Sequence, residues 1–399
     1  MSAIAIINYG AKNDYARMLP ERASDLVVFS HHDLKSTEEF AYYEYVPDCE
    51  LVPYAELSIL ERATATDFSH VITDNEYDLE RAARIRARLG LSGQSEASAA
   101  SFRDKVLMKQ VASKTVRVPR FRGLNHIGDL MEFIGEVGYP VVVKPRKQGG
   151  SRDITVLRSS SELERFSRLR WREDLMVEEF VPGPILHVDA VLAEDYRLIS
   201  SSRYLRTPLG VLGGINNGSL QFHPDEPTAK ELEVFFDQVL SAFELPPVSA
   251  YHLEVFQPRP GELLLCEIAS RAGGARIPMI TRATYDVDLV STWLRLSCGL
   301  PVRPAPTTAP DQVHGAVAMV PPGRAVRPPS RPPFDWVTDY QVNEQLSAGA
   351  TAQNSTSHLC YAVVRGADSV ELERRLLQVE RWLQDEIDAQ GSTTGAAEE

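Results

Sequence analysis

Tyr251-His252-Leu253-Glu254-Val255-Phe256 and Leu265-Cys266-Glu267-Ile268-Ala269-Ser270-Arg271-Ala272-Gly273-Gly274 flank the turn Pro258-Arg259-Pro260-Gly261, and their reading decides the fold. Each apolar run reads as a strand and carries one glutamate among residues expected to be buried. A buried carboxylate is costly unless it meets a cation. Two carboxylates on neighbouring strands repel unless a metal or a base lies between them. Neighbouring strands lie about 5 Å apart, so one Mg2+ reaches both glutamates. Arg271 and the Gly273-Gly274 pair follow at once, as an anionic ligand requires. The alternative is a half-exposed hairpin with two solvent-facing glutamates.

Two upstream lysines favour the first reading. In Pro140-Val141-Val142-Val143-Lys144-Pro145 a β-branched run enters the core and ends on a lysine, which needs an anionic partner there. Gly149-Gly150-Ser151 follows, among Arg146, Lys147 and Arg152. Such glycines let backbone N–H groups approach phosphate oxygens, although a plain hairpin turn needs them too. The spacing is not that of a P-loop, because no Gly-Lys-Ser/Thr opens a helix. Earlier, Ser101 is the expected N-cap of a helix carrying Lys105, which by itself reads as an ordinary exposed cation and gains meaning only from the order of the pieces. Between these pieces and the glutamate pair, Val177-Glu178-Glu179-Phe180-Val181-Pro182-Gly183 reads as a strand leaving through a hinge, where backbone groups and a carboxylate can read adenine and ribose.

This ordered set resembles the ATP-grasp superfamily, and within it the carboxylate–amine ligases of the L-amino-acid ligase and dipeptide synthetase type. The matching pieces run from about residue 98 to 300 and are Asp104-Lys105, Pro140–Pro145, Gly149–Ser151, Val177–Gly183, His252–Glu254 and Glu267–Gly274. The resemblance implies an ATP-dependent, ADP-forming ligase that joins a carboxylic acid, such as an amino acid, to an amine through an acyl phosphate. It implies ATP with Mg2+ or Mn2+. Lys105 and Lys144 would hold the phosphates, and Gly149, Gly150 and Ser151 would form a mobile loop over them. Glu178 and the backbone of Glu179, Phe180 and Val181 would contact adenine. Glu254 and Glu267 would bind the metal. Arg271 would hold the acyl phosphate or tetrahedral intermediate, with Lys144 as its catalytic companion. Arg203, Gly273, Gly274 and Arg276 complete the expected substrate set. Two positions depart from the pattern. Ala269 stands where many members have a metal-binding asparagine, and Ile185 where many have a ribose-binding glutamate. His187 or Asp189 is the expected substitute at the ribose. Rival readings are a carboxylase, an acyl-carrier ligase, and a nucleotide-binding regulator without catalysis.

The chain has 399 residues and a net charge of −13, ample for two or three domains and unlike the basic face of a nucleic-acid binder. The cysteines Cys49, Cys266, Cys298 and Cys360 lack metal or disulfide spacing. No apolar run approaches membrane-spanning length and the N-terminal run is too short for a signal core, so a cytoplasmic protein is expected. A homodimer is compatible with these features.

The expected fold class is α/β with α+β sheets. Residues 1–95 form a small open α/β domain lacking a dinucleotide motif, with Asn75 and Glu76 at a strand end beside the cleft or merely capping a loop. Residues 96–300 form a two-lobed ATP-binding core, its small lobe at about 117–181. A loop over residues 208–218 either covers a substrate or is a surface excursion. Residues 301–390 form a C-terminal α+β extension whose helix buries Leu372, Leu376, Val379 and Leu383. Residues 391–399 form a disordered tail.

Overall fold

A computed structural model of the chain describes residues 2–9, 13–49, 51–346 and 358–392. Three sheets organise it, each built from consecutive strands. The first contains β1 (Ala3–Asn8), β2 (Leu26–Ser30), β3 (Tyr42–Tyr45) and β4 (Phe68–Thr73), all parallel in the order β3-β2-β1-β4. β1 and β2 are buried along their full length, as parallel strands covered by helices should be. Helix Leu79–Leu89 covers this sheet and ends at Gly90 in the left-handed conformation.

The second sheet contains β5 (Phe121–Leu124), β6 (Val141–Pro145), β7 (Thr155–Leu157) and β8 (Leu175–Glu179), antiparallel in the order β5-β8-β6-β7. Its core side holds Val141, Val143, Leu157, Leu175 and Val177. Those residues alternate along β6 and β8, so Val142, Lys144 and Glu178 point to the opposite side, which faces the cleft.

The third sheet has eight antiparallel strands: β9 (Ile185–Ala193), β10 (Tyr196–Tyr204), β11 (Asn217–Gln221), β12 (Ser249–Arg259), β13 (Glu262–Ala269), β14 (Val313–Met319), β15 (Val337–Val342) and β16 (Cys360–Gly366). Their order is β13-β12-β9-β10-β11-β14-β16-β15. The C-terminal strands therefore continue the same sheet that carries the glutamate pair. Helix Pro227–Leu240 packs on one part through Leu232, Phe235, Phe236 and Val239. Helix Ser369–Ser392 packs on the other through Leu372, Leu376, Val379, Leu383 and Ile387, the face its periodicity predicted. Of the expected tail, residues 393–399 lie outside the described residues. The four cysteines are buried and free.

One local expectation fails. Ser101 lies inside helix Glu96–Arg103, and Asp104 caps the next helix, Lys105–Ala112, by accepting from the N–H groups of Val106 and Leu107. The carboxylate of Asp104 also takes Arg146 in a two-point pair, at 3.0 and 2.5 Å. A serine cannot cap a helix and anchor a guanidinium at once; a carboxylate can.

Candidate active site

The three sheets surround one cavity of about 1330 Å3. It is lined by Lys105, Lys144, Gln148–Arg152, Glu178–Gly183, Glu254, Glu267 and Arg271–Pro278. Of the residues expected at the site, all but Arg203, His187 and Asp189 line it.

β12 and β13 set Glu254 directly opposite Glu267. The hairpin predicted from the Pro258–Gly261 turn is thus the device that brings the two carboxylates together. Burial pushes the Glu254 carboxyl up, but His252 and Tyr204 outweigh it and hold it down at about 2. Tyr204 donates to Glu254 Oε1 at 2.8 Å. Glu267 accepts from Lys105 Nζ at 3.1 Å. Two ionised carboxylates on adjacent strands offer the hard oxygen donors that Mg2+ takes, so these residues fit the ion. Ala269 contributes no donor, and the residue opposite it in register is His252.

The two lysines expected at the phosphates are positioned by two local structures. Lys144 ends β6, where strand alternation turns it into the cleft. Lys105 opens helix Lys105–Ala112 and donates to Gln148 O at 2.7 Å. The same helix start grips the loop between β6 and β7. Lys105 N bonds to Arg146 O, and Arg103 Nη2 to Lys147 O at 2.5 Å. The N-terminal sheet contributes as well, because Lys147 pairs with Glu80 at 2.8 Å. A Cβ on Gly149 would overlap the Glu76 carboxylate, so a larger residue here would have to displace that side chain.

Glu178 departs from its expected contact with adenine. It is sandwiched between Lys144 at 2.5 Å and Lys109 at 3.1 Å, and all three are buried. Burial alone would raise its pKa, yet Lys109 and Lys144 together hold it low. Lys144 is driven the other way: burial would lower it, and Glu178 raises it further than that. The carboxylate serves as counter-ion to both lysines, and Glu179, Phe180 and Val181 line the cleft wall beyond it. Lys109 was not singled out in the sequence. It lies four residues after Lys105, hence on the same helix face, and that spacing was the available signal.

His187 and Asp189 are not placed to bind ribose. Asp189 accepts from His187 Nδ1 at 2.7 Å and from His252 Nδ1 at 2.8 Å, and His187 Nε2 meets Ser219 Oγ at 2.6 Å. Both residues are fully buried, and the strand alternation that aims them at the cleft floor also encloses them within their own network. The three residues bring possible metal ligand atoms within 4.8 Å of one another. Hydrogen bonds already occupy those atoms. Burial lowers the His252 pKa, but Asp189 and Glu254 overcome it and raise it to about 10. A charged His252 thus stands behind Glu254, 3.6 Å away. Gly273 closes over this group: a Cβ there would strike Asp189.

Arg203 is a second correction. His187 faces the cleft and pairs with Ser202, so Arg203 points to the other face of the sheet. There it forms an ion pair with Glu373 of the last helix at 2.6 Å.

Glu76, by contrast, does reach the site. It pairs with Arg271 Nη2 at 2.8 Å, across 195 residues of sequence. Burial pushes its carboxyl up, but Arg271, Arg103 and Lys105 hold it down at about 2. Asn75 beside it lines the cavity but spends its amide on Thr73, Asp78 and the Tyr77 N–H, which is loop-building work. The segment after β10 forms a tight turn, Pro208–Gly213, and returns as β11; Thr207–Val211 and Asn217–Ser219 line the cavity.

No family model matches the chain. The L-arginine-specific L-amino acid ligase of Bacillus subtilis is 23% identical over 249 residues, 60% of each chain. A D-alanine–D-alanine ligase of Geobacter sulfurreducens is 30% identical over 96 residues, 23% of this chain and 30% of that one. The matches thus span less than two thirds of these relatives. Among solved structures, an L-amino acid ligase from Bacillus licheniformis superposes with a TM-score of 0.72 at 15% identity, over 96% of this chain and 97% of that one. A carboxyaminoimidazole ribonucleotide synthase from Aspergillus clavatus, complexed with ATP, gives 0.70 at 15% identity, over 96% and 98%. The fold is shared along nearly the whole chain although few residues are. With lysines, glycine loop, hinge and opposed glutamates gathered in one cleft, the chain has the ATP-grasp fold and resembles the carboxylate–amine ligases of that superfamily.

Proposed function

We propose that the chain is an ATP-dependent ligase that forms an amide between a carboxylic acid, such as an amino acid, and an amine. The carrying observation is the opposed pair Glu254 and Glu267, with Lys105 on one carboxylate and Arg271 at the end of the same strand connection. The relatives named above as amino acid ligases support the reading.

In this scheme Lys105 and Lys144 neutralise the triphosphate, and the loop at Gly149–Ser151 covers it. Phe180 and Val181 flank the base. Glu254 and Glu267 would hold Mg2+, which would supply electrostatic stabilisation of phosphoryl charge. A carboxylate oxygen of the acid attacks the γ-phosphorus, and the bond to the bridging oxygen breaks, releasing ADP and leaving an acyl phosphate. The amine nitrogen attacks the acyl carbon, the carbonyl electrons move onto oxygen, and phosphate departs as they return. Arg271 would hold that oxyanion once it releases Glu76, its planar fork matching two oxygens at once.

The test is a screen of amino-acid pairs for ADP release with product mass, run beside Arg271→Ala. Wild type should form an amide and transfer oxygen label from the acid to phosphate. Arg271→Ala should lose amide formation by about 100-fold or more while nucleotide binding stays near wild type. ADP release driven by bicarbonate, without any amine-dependent amide, would instead support the carboxylation chemistry for which neighbouring folds are named.

A further inference from the structure

Glu254 is held from behind by a hydrogen-bonded network that crosses the neighbouring strands β12, β9, β10 and β11. Register sets His187 of β9 beside Glu254, Asp189 beside His252, and Ser219 of β11 beside Tyr204 of β10. Asp189 gives one oxygen to each histidine: Oδ2 accepts from His187 Nδ1 and Oδ1 from His252 Nδ1. These bonds fix which ring nitrogen carries a proton and which way each ring faces. His187 is thereby braced against Ser219, and its ring lies 4.7 Å from that of Tyr204. His252 Nε2 is turned to the Tyr204 hydroxyl at 3.4 Å and to Glu254 Oε1 at 3.6 Å. The Tyr204 hydroxyl donates to the same Oε1 at 2.8 Å. Tyr204, His252 and Glu254 line the cavity, whereas His187 and Asp189 do not. Asp189 can therefore act on the cleft only through its neighbours.

The two oxygens of Glu254 are held unequally. Oε1 is taken up by Tyr204 and His252, while Oε2 meets the Cys266 thiol, a weak donor, at 3.8 Å. Cys266 is there because β13 bulges: Glu254 pairs with Glu267 but Val255 with Leu265, which leaves Cys266 as the extra residue. A bulge re-aims the side chains beside it.

We propose that Tyr204, with Asp189 acting through His187 and His252, is a positioning residue for Glu254: it holds Oε1 back, so that Glu254 offers a metal ion one oxygen, Oε2, in a fixed direction. The inference rests on the metal-binding reading of Glu254 and Glu267 and deepens it. A glutamate side chain is long and freely rotating, and fixing it in advance spares the ion that ordering cost. Ala269 adds no donor, so the direction of each carboxylate matters more. Ligation through one oxygen also discriminates between ions. Mg2+ demands a near-octahedral set at short distances, whereas Ca2+ accepts both oxygens of a carboxylate at longer ones. A Glu254 restricted to Oε2 favours the smaller ion.

The experiment uses the full chain, saturated with a non-hydrolysable ATP analogue. Mn2+ is the probe, its free fraction read by electron paramagnetic resonance and its site challenged with Mg2+ or Ca2+. Tyr204→Phe removes one hydroxyl and keeps the ring. It should weaken Mn2+ binding by about 10-fold or more and narrow the preference for Mg2+ over Ca2+ by a similar factor. A merely structural hydroxyl would lower the urea unfolding midpoint and leave that preference where it was. Asp189→Asn keeps the size but accepts from one histidine only, so one ring must change tautomer. It should weaken Mn2+ by about 3- to 10-fold and add little to Tyr204→Phe, because both act through Glu254 Oε1. Loss of Mn2+ in Glu254→Gln, beside wild-type affinity and preference in Tyr204→Phe, overturns this proposal and leaves the metal pair standing. Retention of Mn2+ by Glu254→Gln overturns both. A Tyr204→Phe effect of the expected kind, in a chain that yields no amide from any acid–amine pair, supports the positioning role and counts against the ligase reading alone.

Discussion

The two ends of the cleft treat their cations differently. At the nucleotide end, Lys144 and Lys109 share Glu178, Lys105 meets Glu267, and Arg271 meets Glu76. At the far end, Arg276 lies on an aromatic ring with no carboxylate among the described residues. The first end is assembled in advance. Its charges are paired with one another, and in the proposed reaction a metal and polyphosphate would exchange partners with groups already in place. At the second end Arg276 is held by a histidine and an aromatic ring in place of a carboxylate.

Breaking the prepaired end should have the largest consequence. Lys109→Met strips Glu178 of one of two buried counter-ions and should cost about 3–5 kcal/mol of stability, read from urea unfolding. Adding Glu178→Leu to Lys109→Met should lower stability further, since Lys144 then loses its buried counter-ion. No difference between the single and double variants would mean that the pair is not a stability unit.

Glu267→Gln should keep the fold but slow ADP release by about 100- to 1000-fold, because a neutral amide is a poor ligand for a hard cation and frees Lys105. Turnover within about threefold of wild type would remove Glu267 from the metal site.

Glu76→Gln should act more mildly. It releases Arg271 and relaxes contact with Gly149, and we expect about a 10-fold change in turnover, equivalent to about 1.4 kcal/mol. A change confined to nucleotide affinity would place Glu76 with the loop and not with Arg271.

The loop itself sharpens the comparison. Residues 146–148 are held by Asp104, Arg103 and Lys105, whereas the Gly149–Asp153 stretch carries fewer such bonds. Amide exchange at 149–153 should slow on adding Mg-ATP, while that at 146–148 changes little. Equal exchange with and without nucleotide would argue that the loop does not close over it.

Stability should also carry a pH slope. His252 titrates at about 10 in the fold, against an ordinary 6.5. The fold binds its proton more tightly than the unfolded chain does. Its contribution to stability is therefore full below pH 6.5 and is lost as pH rises through about 10. Unfolding midpoints measured across this window should fall with pH in wild type and fall less in His252→Gln.

Local pattern carried much of the fold. The strand–turn–strand of residues 249–269, β6 ending on Lys144, helix Pro227–Leu240 and the buried face of the last helix all follow from periodicity and turn residues. Each depends on neighbours within one or two turns of chain. The capping of helix Lys105–Ala112 was misread because Ser101 and Asp104 are both acceptable caps locally, and only the position of Arg146 favours Asp104.

The site divides along the same line. The sequence by itself determined which residue types would stand on the cleft face: alternation puts Glu254 and His252 on one side of β12, and Glu267 and Ala269 together on β13. Only the tertiary structure decided which charge meets which. Glu178 meets Lys109, Glu76 meets Arg271, and Asp189 takes both histidines. Arg203 was expected in the cleft, yet it lies on the opposite sheet face with Glu373 because strand register fixed its side. The physical reason is range. Side-chain direction along a strand or helix is set by bond geometry within a few residues. A salt bridge between residues 195 apart is set by how whole sheets pack, and burial then makes it obligatory.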